Sequence, residues 1–165
     1  MHIRTIIILT GSILLLACGR QSPETPTTTP EPQPTTSAAS EQPAAMPRNP
    51  SPDGAMVYII SPSNGAEVTS PVNILFGLEG AGIAPAGTDR PNTGHHHLLV
   101  DTELVNLNMP VPADEQNIHF GGGQTETIIE LSPGQHTLQL VLGDYLHIPH
   151  DPPLLSEPVT IMVTE

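Results

Sequence analysis

All but one of the chain's 8 histidines lie beyond residue 94, most of them in three short motifs: His95-His96-His97, Ile118-His119-Phe120 and His147-Ile148-Pro149-His150. Neutral imidazole is a ligand for Zn, Cu and Ni, and a cluster of imidazoles without cysteine makes a site of nitrogen and oxygen donors. Asp144 and Asp151 flank the third motif. The candidate ligands are therefore His95, His97, His119, His147, His150 and Asp144, with Zn or Cu as the candidate ion. The same residues carry a second reading, in which the imidazoles only order strands and loops by hydrogen bonding.

These motifs need elements to position them. Gly94 to Asp101 is predicted as a strand, because Leu98, Leu99 and Val100 form a brief apolar run between turn signals. Alternation puts His95, His97, Leu99 and Asp101 on one face and His96, Leu98 and Val100 on the other. The second set is the more apolar and faces the core. His95 and His97 then point away from it together, about 6–7 Å apart. His119 shares their outward parity, between Ile118 and Phe120. His96 and His136 have core parity and read as structural. His147 and His150 sit in a loop stiffened by Pro149, Pro152 and Pro153.

The rest of residues 55–165 reads as more strands. Met56–Ile60 comes first, then Val72, Ile74, Phe76 and Leu78 alternate with Asn73, Leu75 and Gly77, the best strand signal in the chain. Residues 80–87 are too glycine-rich for a regular element. Thr127, Ile129 and Leu131 mark one later strand, Leu138, Leu140 and Leu142 another, and Val159, Ile161 and Val163 the last. No stretch has a helical period. About seven short strands in one domain-sized segment predict an all-β, immunoglobulin-like β-sandwich. The last two strands would be neighbours, joined by the loop at 143–158. With no tryptophan, two phenylalanines and two tyrosines, the core must rest on Val, Ile and Leu.

The N-terminal third has a different composition. Residues 1–17 combine a basic start with a short apolar run, as in a secretory signal. The run ends Leu15-Leu16-Ala17-Cys18-Gly19, which resembles the lipobox of bacterial lipoproteins and marks Cys18 for lipidation. Cys18 is the only cysteine, so disulfides and thiolate metal sites are excluded. Glycine after it, rather than aspartate, points to the outer membrane by resemblance to the sorting rule of enteric lipoproteins. Residues 18–54 are rich in Pro, Thr and Ser and form no core; they read as a tether. At about 3 Å per residue, thirty such residues reach on the order of 90 Å. The formal net charge of −13, with no lysine, argues against nucleic acid and anionic headgroups as partners and suits cations.

The segments "FGLEGAGIAPAGT", "NTGHHHLLVDT", "HFGGGQTET", "PGQHTLQLVLGD", "HIPHDPP" and "SEPVTIMV" together resemble the bacterial family of domain of unknown function 4399, over roughly residues 57 to 164. The resemblance implies an exported, single-domain, all-β protein and names no activity. Function then rests on the residues. The leading expectation is a membrane-anchored binding domain with a transition metal at the histidine cluster. The alternative is a structural or adhesive envelope module whose partner is protein or glycan. A periplasmic metalloenzyme is a third reading and would work through a metal-activated water. The domain has no cysteine nucleophile, glycine–serine elbow or His-Glu-x-x-His helix.

Overall fold

The structure is a computed structural model that describes residues 46–165. The apolar leader, Cys18 and most of the proline-rich segment lie outside the described residues. The described chain is all β: β1 (Met56–Ser61), β2 (Glu67–Thr69), β3 (Val72–Glu79), β4 (Gly82–Ile83), β5 (Thr93–Val100), β6 (Asn117–His119), β7 (Glu126–Ile129), β8 (Gly134–Gly143) and β9 (Val159–Thr164). The strands beyond those expected are the short β2 and β4. β4 forms inside the glycine-rich stretch, where Gly82 pairs with Thr93 and Ile83 with Gly94 in parallel. Such pairing uses only backbone groups, and a Cβ on Gly82 would stand 3.2 Å from Thr93 Cγ2, so the small residue admits the approach.

One sheet has the order β1-β3-β7; the other runs β2-β9-β8-β5-β4, with β6 also paired to β5. β1 joins one sheet antiparallel to β3, and β2 joins the other parallel to β9. β3 and β7 pair antiparallel, as do β5 with β8 and β8 with β9. This is the immunoglobulin-like partition of a sandwich, with the neighbouring last two strands expected from sequence. Alternating side chains meet between the sheets: Val57, Val72, Ile74 and Phe76 from one, Leu98, Leu138, Leu140, Leu142, Ile161 and Val163 from the other. Burying each such side chain contributes roughly 1.5–3 kcal/mol.

The outer face of the larger sheet is covered too. Leu99, Val141 and Val111 form a second apolar cluster there, with Leu104 and Leu155 packed against it. Val111 and Leu104 come from the connection between β5 and β6. Leu155 comes from the loop between β8 and β9, which folds back along β8 through bridges Val141–Leu155 and Gly143–Pro149. A face that alternation alone would leave open to water is thus roofed by two loops. The roof decides the environment of His95 and His97.

The folded unit also starts earlier than residue 55. Arg48 donates to the carbonyl groups of Pro149 and His150 and pairs with Asp151 at 3.3 Å. Pro50 bridges Asp151, and the amide of Ser51 donates to the Asp151 carbonyl. Residues 46–165 belong to one compact unit.

Candidate metal centre

The period of two brings His95 and His97 to one face of β5, and each is fully buried. β6 pairs antiparallel with β5 so that His119 lies directly opposite His97, which sends both rings to the same side of the sheet. The result is a three-histidine group: one ring nitrogen from each of His95, His97 and His119 falls within 4.8 Å of the others. His95 Nε2 and His97 Nε2 are 3.2 Å apart. Ring centroids are separated by 4.9 Å for His95–His97 and 5.0 Å for each of these with His119.

His147 reaches the same place from the loop after β8. Its ring centroid lies 4.9 Å from that of His95, 4.7 Å from His119 and 5.8 Å from His97. Its backbone is left-handed, with φ 69°, inside a turn built by Asp144. One carboxylate oxygen of Asp144 accepts from the amides of Leu146 and Ile148, at 2.8 and 2.9 Å. The other accepts from Asn49 Nδ2 at 2.9 Å. The amide of Val111 donates to the His147 carbonyl at 2.9 Å, tying the turn to the roof.

Two glycines leave the space that the rings fill. A Cβ on Gly143, which pairs with His95 across the β5–β8 ladder, would lie 3.0 Å from His97 Nε2. A Cβ on Gly121 would lie 2.7 Å from His119 Nε2. The place of Gly121 beside His119 is visible in three dimensions alone.

Burial sets the electrostatics. Desolvation lowers the His95 pKa to about 4, helped by the neighbouring His147 and His119. It lowers His97 to about 2, with repulsion from His95, His119 and His147 adding to it. His119 is lowered by desolvation and then by His147. These rings are neutral near pH 7, the form that has a lone pair to give a metal. His95 Nδ1, His97 Nδ1 and His119 Nε2 are buried without a hydrogen-bond partner among the described residues. An unsatisfied buried nitrogen costs about 1–3 kcal/mol. The Nδ1 atoms of His95 and His97 lack the acceptors that usually orient a ligating ring; here packing against Gly143 and the other rings does that.

The remaining candidates are placed elsewhere. Both carboxylate oxygens of Asp144 are taken up, one by the turn amides and one by Asn49, so it positions His147. His150 is buried and its Nδ1–H donates to the Leu142 carbonyl at 3.3 Å. It lies against Gly94, whose parity is opposite to that of His95. Asp151 is exposed and pairs with Arg48. His96, as expected from its parity, is buried beside Phe76, with its Nδ1–H donating to the Gln124 carbonyl at 3.2 Å. His136 is held between Asp101 Oδ2 at 2.7 Å and the Ser132 carbonyl at 2.8 Å.

The larger surface clefts run along Ser61, Val68, Val72 and Thr164, and along Thr102, Leu104, Thr137 and Leu155. Neither is lined by a residue of the three-histidine group or by His147. The group thus lies outside these clefts, with ring nitrogens at the spacing of an ion's ligands.

A family described as "Domain of unknown function (DUF4399)" has a model that matches residues 74–164. No curated protein matches the chain. Among solved structures, the fibronectin(III)-like modules of Clostridium thermocellum CbhA are similar at 14% identity and a TM-score of 0.31. That match covers 66% of this chain and 93% of the other.

Proposed function

The chain belongs to the DUF4399 family, whose description assigns no activity, and from the site itself we propose that it is a binding domain for a transition-metal ion, Zn or Cu, held by His95, His97 and His119. The observation that carries this reading is the convergence of three desolvated imidazoles, with ring nitrogens inside 4.8 Å and no carboxylate in the group. Nitrogen-only, neutral ligation suits borderline transition ions over Ca²⁺ or Mg²⁺, which take oxygen. Lipidation at Cys18 and the proline-rich tether that follows it would place the domain on the cell envelope, on the outer membrane by the glycine at position 19. The acidic chain would favour cation approach.

A structural or adhesive envelope module is the second reading. The 3.2 Å contact of His95 Nε2 with His97 Nε2 favours it, since a single proton between them makes a hydrogen bond that orders β5 without any ion. Thermal unfolding of residues 42–165, without a histidine tag, separates the two. An ion bound only by the folded state adds RT ln(1 + [L]/Kd), about 2.7 kcal/mol at 100 times Kd. The metal reading expects a higher midpoint with Zn²⁺ or Cu²⁺ at pH 7.5 and also at pH 5, where the folded His95 and His97 stay largely neutral. An unchanged midpoint with both ions at both pH values selects the structural module.

A further inference from the structure

Four rings, not three, surround one point. The six centroid separations among His95, His97, His119 and His147 run from 4.7 to 5.8 Å. Four points that are nearly equidistant in space lie on a tetrahedron. With metal–nitrogen bonds of about 2.1 Å and centroids about 1.1 Å beyond each nitrogen, a tetrahedral ion places all six separations at about 5 Å. A square-planar ion would give four edges of about 4.5 Å and two diagonals of about 6.4 Å. No pair is that far apart, and the six values do not divide into edges and diagonals. The His95–His97 nitrogen separation of 3.2 Å is likewise near the edge of about 3.4 Å for such a tetrahedron.

Resting on the metal reading above, we infer that His147 is the fourth ligand, closing a tetrahedral all-imidazole site that suits Zn(II) or Cu(I) and leaves no coordination position for a substrate. His147 stands outside the set of nitrogens within 4.8 Å, so its side chain turns inward as the ion binds. The ring is half-buried at the edge of the group, while its backbone is fixed by Asp144 and Val111. A catalytic zinc keeps an open position and a structural or storage zinc does not. A closed site therefore makes this a holding or delivery site rather than a hydrolytic one.

Co(II) titration of the full, untagged chain tests this, with azide as a probe for an open position. The variant is His147→Asn, because asparagine tolerates the left-handed backbone. Wild type is expected to take one equivalent of Co(II) with the intense visible bands of a tetrahedral ion, unchanged by azide. His147→Asn should bind at least about tenfold more weakly, with bands that shift on adding azide. Azide-sensitive or weak octahedral bands in wild type, or a variant whose spectrum and affinity match wild type, would overturn the closed site while leaving metal binding in place. No Co(II) uptake by wild type would overturn both.

Discussion

Gly121 and His119 compete for one space: a Cβ on Gly121 would stand 2.7 Å from His119 Nε2, closer than real side chains approach. Gly121→Ala should therefore push the His119 ring out of the group while leaving the sandwich core untouched. Metal affinity should fall about tenfold or more, equivalent to about 1.4 kcal/mol, as read by isothermal titration. Undiminished affinity would mean that His119 does not bind the ion.

His95 and His97 contribute the most deeply buried nitrogens, and neither side chain reaches the core between the sheets. Replacing both by alanine should reduce metal stoichiometry from one to zero with cooperative unfolding retained. Equilibrium dialysis measures the first and circular dichroism melting the second. Unchanged stoichiometry in this variant refutes the assignment of the site to β5.

The same two residues set an acid limit. Their folded pKa values, about 4 for His95 and about 2 for His97, lie below the ordinary 6.5. As pH falls below 6.5 the unfolded chain takes up protons that the folded chain refuses. Their share of stability is thus present above pH 6.5 and is lost as pH falls, His95's by about pH 4 and His97's further down. Chemical denaturation of the metal-free protein from pH 7.5 to 4 should show this decline, and His95→Ala with His97→Ala should flatten it.

His136 is predicted to act in the opposite sense. Both its partners, the Asp101 carboxylate and the Ser132 carbonyl, only accept hydrogen bonds, so both ring nitrogens are satisfied only in the imidazolium. Its pKa is raised, first by the hydrogen bond to Asp101. That contribution is complete below pH 6.5 and disappears as pH rises through the raised value. Asp101→Asn should bring the His136 titration, followed by NMR, back toward 6.5. A titration unmoved by the substitution would show that the Asp101 pair does not hold the proton.

Asp144 is expected to matter through the turn. Asp144→Ala orphans the amides of the exposed Leu146 and the buried Ile148, at about 1–3 kcal/mol for the buried one. Stability should fall while metal stoichiometry stays at one with weaker binding. Loss of all binding in a folded Asp144→Ala protein would instead make the carboxylate a ligand.

Much of this protein was readable from local patterns. Alternation in Val72–Leu78, Leu138–Leu142 and Val159–Val163 identified the strands and which residues face the core, because the period of a strand is a property of the backbone alone. The same period put His95 and His97 on one face and His96 on the other. Glycine-rich pairing at Gly82–Ile83 carried no side-chain signal and escaped notice. So did the packing of residues 46–54, whose composition matches the tether before them while Arg48 finds its acceptors a hundred residues away.

The site itself depended on contacts distant in sequence. Nothing local states that His119 falls opposite His97; that follows from the register of β6 on β5. Nothing local states that the outward face is roofed by Val111 and Leu155 over Leu99 and Val141, or that His95 and His97 on that face are fully buried and so neutral. Asp144, His147 and His150 looked equivalent within one loop. The fold separates them: Asp144 caps the turn, His150 goes to the other face of the sheet, and His147 alone joins the group. The sequence determined which donor atoms this protein owns and which faces they occupy, since both are set by residue type and backbone period. Only the tertiary structure decided which of them share one point in space, because strand register and loop closure are chosen by the packing of the whole domain.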